Sequence, residues 1–246
     1  MRTANPILTS FDRPEQTRTQ GRPETPMTFD DVVAKTMVTM GLALLAAIAV
    51  YALVPAQYLW PVTIGASIAS VIAALVVAFA RSLPAPAALI VVVLEGAMIG
   101  GLSKSFEMVW PGIVSQAVLA TFIAAGVTLA AYKFFNVRVT PRFRKIVFIA
   151  TAAFAVTMLV NFVLSLAGID LGLRGAGGGV SFLAIIVSAI GVVLATLNLV
   201  LDFDHIENGI RNGAPASESW RAAYGLTVTL IWLYVEILRI LSYFRD

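Results

Sequence analysis

The chain of 246 residues contains no cysteine and one histidine, and only 13% of its residues are charged. These shortages exclude disulfides, thiolate metal sites, and metal clusters or triads built on several histidines. Soluble domains average about 25% charged and about 45–50% apolar residues. This chain is 59% hydrophobic with a mean hydropathy of +0.88. A soluble fold of this size cannot bury so much apolar surface, and we therefore predict an integral membrane protein.

Sequence signatures of enzymes and of nucleic-acid binding are also missing. We find no HExxH, nucleophile elbow, phosphate loop or CxxC motif. The net charge of +3 comes from short basic clusters between apolar segments, without interleaved aromatic residues. The acidic triplet 202–204 lacks a second acidic cluster on another inner loop, which a metal-dependent lipid-linked transferase would need. We expect no enzymatic activity, no cofactor, no certain metal site and no nucleic-acid partner.

Seven apolar segments are long enough, or nearly so, to cross the hydrocarbon core of a bilayer as helices. That core is about 30 Å thick and needs about 20 residues at about 1.5 Å each. The alternating pattern of a membrane barrel is absent. We predict an all-α integral membrane protein, a seven-transmembrane-helix bundle over residues 31–246, after a disordered polar N-terminal tail, 1–30. The segments are Asp31–Leu53, Tyr58–Ala80, Ala85–Leu102, Gly112–Ala131, Ile146–Ala167, Val180–Leu201 and Trp220–Leu241.

The distribution of lysine and arginine predicts the orientation of the bundle, because cytoplasmic loops of membrane proteins are enriched in these residues. With the N-terminus in the cytoplasm, all of the 17 Lys and Arg residues fall inside except Lys104, Arg174, Arg239 and Arg245. We therefore expect a cytoplasmic N-terminus, an outer C-terminus and a multi-pass protein in contact with the lipid bilayer.

Few ionisable side chains fall within the apolar segments, where a charge costs at least about 2.5–3.5 kcal/mol. Glu95 lies near the middle of the third segment, either as a neutral hydrogen-bonded carboxyl or as an acid lining a pathway. Gly96 and Gly100 beside it predict the close approach of another helix. Glu236 in the seventh segment has Arg239 three residues further on, and it forms either a local ion pair or part of a pathway.

Asp202 ends the sixth segment at the predicted cytoplasmic edge, on the same side of the membrane as Arg81 at the end of the second segment. A contact between Asp202 and Arg81 would latch the inner ends of the two helices together. The acidic Asp204 and Glu207, together with His205, are expected in water at this surface.

Three stretches of sequence resemble the Bax inhibitor-1 family of seven-span membrane proteins, in its bacterial branch, over residues 30–246. Leu94–Gly100 is similar to a Glu-Gly-x-x-x-Gly signature of the third span, and Leu201–Ile206 to a Tyr-Asp-x-x-x-Ile ending of the sixth. Residues 222–241 match the seventh span without a gap. The resemblance implies a pH-sensitive calcium leak in a bacterial inner membrane, with Ca²⁺ as permeant ion and protons as regulators.

The resemblance also implies roles for individual residues. In family members two aspartates share a proton, and the first is latched to an arginine that ends the second span. Asp202 matches the first aspartate and Arg81 the arginine, but Thr229 stands where the second aspartate is expected. Glu236 lies seven residues further on the same helical face, about 10 Å along the helix.

Two other functions compete with a leak. Glu95 and Glu236 could offer hard oxygen ligands to passing Ca²⁺. In a non-transporting membrane scaffold or quality-control partner they would serve packing only. A carrier would be favoured by inverted repeats, and we find none. Neither a protein partner nor an oligomeric state is predicted.

Overall fold

The computed structural model describes residues 25–79, 84–135, 139–174 and 181–245, and within them seven helices and no strand. All seven are long and apolar enough to cross a membrane, and the predicted fold class is confirmed. The orientation of the bundle stays a prediction. The helices are α1 (Phe29–Leu53), α2 (Ala56–Phe79), α3 (Ala85–Val109), α4 (Ile113–Phe134), α5 (Pro141–Leu166), α6 (Phe182–Arg211) and α7 (Glu218–Tyr243).

Several helices are longer than the apolar segments that predicted them. Helix α3 continues to Val109 and α6 to Arg211, past the predicted ends at Leu102 and Leu201. An apolar run measures the part of a helix that crosses lipid, whereas its hydrogen-bonded ladder continues into polar sequence. Local signals set other ends: Thr140 caps α5 by accepting a hydrogen bond from Phe143 N, and Pro141 occupies the first turn.

Helix α7 is the centre of the bundle and packs against α1, α3, α4 and α6. It is also the helix with the largest buried share of its span. The backbones of the two peripheral helices each pack on one described helix, α2 on α3 and α5 on α6. Helix α5 also reaches α7 through the rings of Phe154 and Trp232, whose centroids are 5.7 Å apart. We call the end of the bundle that holds the α5–α6 connection and Tyr243 the outer end, and the opposite end the inner end.

Helices α1 and α3 approach closely at two glycines, which confirms the prediction made for Gly96 and Gly100. A side chain at Gly96 would collide with the carbonyl oxygen of Ala43, and one at Gly100 with that of Ala47. The neighbouring Gly101 faces the other way, against Thr63 of α2. Small residues therefore hold α3 between α1 and α2.

The predicted N-terminal tail, 1–30, is described only from residue 25, and residues 25–30 belong to the folded body. Met27 is 3% exposed, and its backbone N–H donates to the carbonyl oxygen of Ala214 at 2.7 Å. Ala216 N in turn donates to Thr25 O at 2.9 Å. The segment entering α1 is thus attached to the connection between α6 and α7.

Candidate functional site

Polar side chains of α7 contact α1, α3 and α6 and the connection between α5 and α6. A side chain that is polar inside a bundle needs a partner, because lipid offers none. The contacts of α7, from its inner to its outer end, are Tyr224 with Glu95, Thr227 with Thr39, Thr229 with Asp202, Tyr234 with Ser103, and Glu236 with Arg174. Two carboxylates, at Glu95 and Asp202, therefore face the central helix, and a third, at Glu236, lies on it.

Glu95 is buried in α3 and retains one oxygen without a partner. The Tyr224 hydroxyl donates to its Oε1 at 3.1 Å, while Oε2 has no hydrogen-bond partner among the described residues. The buried Ser70 hydroxyl on α2 also lacks one there. Gly101 contacts Thr63, and two turns inward along these helices Ser70 reaches about the depth of Glu95. Each of these two oxygens has a hydrogen-bonding capacity that no described residue uses.

Asp202 lies within α6 and faces α7. Its Oδ2 accepts a hydrogen bond from the Thr229 hydroxyl at 2.7 Å. Two residues that the family resemblance pairs are thus in contact, with threonine in place of the second carboxylate. Arg81, the predicted latch partner, lies outside the described residues, and within these Asp202 has no salt bridge.

Glu236 is 1% exposed and forms an ion pair with Arg174, and not the local pair with Arg239 that was one of the two interpretations of the sequence. Both guanidinium Nη atoms donate, one to Oε2 at 2.8 Å and the other to Oε1 at 3.0 Å. The Trp232 indole N–H donates to the same Oε1 at 3.3 Å. The local pair was therefore the wrong interpretation. Arg174 binds both oxygens at once, a bidentate geometry that is strong for a guanidinium and a carboxylate.

The chain after α5 turns back to bring Arg174 into the bundle. Gly168 and Gly172 have positive φ values of 81° and 68°, which favour glycine, and the Asp170 side chain accepts from Gly172 N at 2.8 Å. These turns place Arg174 so that its side chain is only 15% exposed.

Residues of α5 and α6 complete the surroundings of this pair. The guanidinium lies 5.7 Å from the Phe154 ring centroid, and its Nε is 3.0 Å from Met158 Sδ. Opposite, in α6, a side chain at Gly191 would come within 2.7 Å of Glu236 Cδ. A glycine at this position therefore makes room for the carboxylate. The sequence did not identify Arg174 as a site residue, because this arginine served only to predict the orientation of the bundle. A signal was present: Arg174 is one of four basic residues on the predicted outer side, and it lies in a glycine-rich stretch.

The inner end of α6 forms a separate cluster of ion pairs. Arg144 of α5 donates to Asp204 at 2.6 Å, and Glu207 accepts from Tyr132 and Arg211. The Asp204 side chain is 13% exposed. It was expected in water, but Arg144 and the neighbouring helices cover it. His205 is exposed as expected. Within the described ranges no group of three His, Cys, Asp or Glu residues could hold a metal ion.

Comparison with known proteins places this bundle in a family. None of the curated proteins matches the chain significantly. A family model described as Bax inhibitor 1 like matches residues 5–246, nearly the whole chain. The seven apolar helices agree with a multi-pass integral membrane protein of this type. The chain therefore belongs to the Bax inhibitor 1 like family.

Proposed function

We propose that this protein is a pH-sensitive calcium leak. The ion path runs along α7, and Asp202 controls the inner part of this path. The observation that carries the proposal is the series of carboxylates along the central helix, of which Glu95 and Glu236 are buried and Asp202 is partly buried. Ionisable side chains inside a membrane are costly, and where they are kept they mark ion and proton pathways. Carboxylate oxygens are also the ligands that Ca²⁺ prefers.

Asp202 and Glu236 belong to one path, because Asp202 contacts α7 at Thr229 and Glu236 projects from the same face of α7 as Thr229. Thr229, the partner of Asp202, and Glu236 are seven residues apart, which is close to two full turns and about 10 Å along the helix. Asp202 belongs to α6, and Gly191 of α6 lies against Glu236. The α6–α7 interface thus has one carboxylate towards the inner end and one towards the outer end. Glu95 faces α7 from α3.

The pH response we propose depends on one carboxylate. An ionised Asp202 only accepts hydrogen bonds, whereas a protonated one also donates. The Thr229 hydroxyl can donate or accept, so it can partner Asp202 in both states. Protonation would remove the negative charge that we propose holds Arg81, and the inner ends of α2 and α6 would separate. The protonation of Asp202 would thereby shift the population of open bundles.

The experiment measures calcium uptake by proteoliposomes with an internal calcium dye at several pH values. We expect Asp202→Asn and Arg81→Ala each to raise the flux at neutral pH, because either change removes one charge of the latch. Asp204→Asn is the matched control, since it removes a neighbouring carboxylate that pairs with Arg144 instead. Unchanged flux in both latch variants would remove the latch, and flux equal to that of empty liposomes in every variant would remove the leak.

A non-transporting scaffold or quality-control partner is the second candidate. The bonds that α7 makes to its neighbours support it, because they hold the helices together whether or not an ion passes. In that case Glu95→Gln combined with Glu236→Gln would lower the unfolding temperature and leave the calcium permeability of the vesicles unchanged. A loss of flux at an unchanged unfolding temperature would favour the leak.

A further inference from the structure

We propose that Glu236 is a cation-binding site in the outer half of the bundle, and that Arg174 is an internal cation that occupies it and competes with Ca²⁺. This inference rests on the proposed function, since it names the regulation of the same path. It assigns Arg174 the role of an inhibitor that belongs to the chain itself.

The first argument is the difference between Glu236 and the other two carboxylates. Among the described residues, Glu95 and Asp202 accept hydrogen bonds from neutral hydroxyls, those of Tyr224 and Thr229. Glu236 instead has both oxygens bound by a guanidinium. A fully buried carboxylate needs a compensating charge, and removing one partner of such a pair is strongly unfavourable. When Arg174 leaves, the neighbouring Arg239 of the same helix and any cation that enters from the outer end therefore compete for Glu236.

The second argument is the position of Arg174 in the chain. Glu236 lies on the central helix. Arg174 belongs to no helix and lies in the connection after α5, beyond two glycines with positive φ. Its side chain retains 15% exposure while that of Glu236 has 1%. Arg174 thus covers Glu236 from the outer end. It can leave by moving its own side chain from Phe154 and Met158, without separating α6 from α7.

The third argument is the chemistry of the vacated site. Ca²⁺ takes about 6–8 oxygen ligands, and one carboxylate supplies at most two. A calcium ion at Glu236 would keep most of its water and bind weakly, as a permeant ion must. A tethered group acts at an effective concentration of the order of mM, so Arg174 competes well with such a weak ligand.

The experiment compares calcium flux as a function of external calcium in liposomes of phosphatidylethanolamine and phosphatidylglycerol. We expect Arg174→Gln to lower the calcium concentration for half-maximal flux about tenfold, because the tethered competitor is gone. Arg174→Lys keeps a charge but loses the bidentate contact, and we expect a smaller shift. In the double variant Arg174→Gln with Glu236→Gln, the calcium concentration for half-maximal flux should not be lowered. Arg245→Gln is the matched control, because Arg245 is an exposed outer-end arginine that bonds to Pro111 and Gln116.

A second readout does not require transport. Calcium that binds the folded protein raises its unfolding temperature. We expect this rise in Arg174→Gln and not in the double variant. Because Arg239 could replace Arg174 from the next turn of α7, Arg174→Gln with Arg239→Gln should show the larger rise. If Arg174→Gln does not fold, the exchange Arg174→Glu with Glu236→Arg keeps a pair of opposite charges and should restore folding, but it removes the carboxylate from α7, so calcium should not raise its unfolding temperature.

The outcomes separate the two proposals. Wild-type flux with the same half-maximal calcium concentration in Arg174→Gln, Arg174→Lys and Arg245→Gln would overturn the inference and leave the leak standing. An equal shift in Arg245→Gln would also overturn it, since surface charge alone would then explain the effect. Absence of flux in every variant, with calcium-dependent stabilisation of Arg174→Gln that Glu236→Gln abolishes, would overturn the leak and leave the cation site standing.

Discussion

The Thr229 hydroxyl donates a hydrogen bond to Asp202 Oδ2 at 2.7 Å, in the place where the family resemblance puts a second aspartate. Two facing carboxylates titrate as a coupled pair, with macroscopic values that belong to both. One carboxylate facing a hydroxyl titrates alone. The contact therefore joins one carboxylate to a neutral hydroxyl, where the resemblance implies two carboxylates.

Thr229→Asp should convert the single site into a coupled pair. We expect the flux to change with pH over a wider range than in the wild type, because two protons are then released in two steps. Calcium flux measured at closely spaced pH values checks this. Thr227→Asp is not an equivalent control, since Thr227 contacts Thr39 of α1, but Thr229→Ser is, because it keeps the hydroxyl. A pH profile for Thr229→Asp identical to that of Thr229→Ser would contradict the prediction.

Tyr224→Phe should destabilise the bundle. It removes the hydroxyl that donates to Glu95 and leaves both carboxylate oxygens without a partner among the described residues, which costs about 1–3 kcal/mol for a buried polar group. Thermal unfolding in detergent measures the loss. Tyr132→Phe removes a hydroxyl that bonds to the exposed Glu207, and it should have a much smaller effect. Equal losses in the two variants would show that Glu95 has another partner.

Gly100→Val should separate α1 from α3. Any side chain at this position meets the backbone of Ala47, which cannot move as a flexible side chain can. We expect poor folding, seen as a low yield of monodisperse protein and a lower unfolding temperature. Gly126→Val in α4 is the control, because nothing lies within 4 Å of a side chain built there. If Gly100→Val is as stable as Gly126→Val, the close approach of the two helices is not required.

Gly191→Ala should raise calcium flux by a route that leaves both charges in place. The added methyl group would lie 2.7 Å from Glu236 Cδ, and the flexible carboxylate must shift away from it. The bidentate contact with Arg174 would then weaken. Gly126→Ala provides the control for a glycine replaced within a helix. Lower flux in Gly191→Ala than in Gly126→Ala would contradict the prediction.

The sequence predicted the bundle well and the site only in part, for physical reasons. Hydrophobic length determines where a chain crosses lipid, so the seven helices and the close contact at Gly96 and Gly100 followed from residue types alone. The Asp202–Thr229 contact followed from the family match. The partner of Glu236 did not, because Arg174 is 62 residues away and its approach depends on turns after α5. Local spacing favoured Arg239, which is nearer in sequence but not the partner.

The attachment of residues 25–28 joins some helices of the bundle more firmly than others. Thr25 and Met27 are tied to the turn before α7, and Lys35 of α1 donates to Ala216 in the same turn at 2.9 Å. These hydrogen bonds join the inner end of α1 to the connection between α6 and α7. The backbones of the peripheral α2 and α5 each pack on one neighbouring helix. Among the described helices α5 has the least backbone contact with its neighbours, and its Phe154 and Met158 hold Arg174.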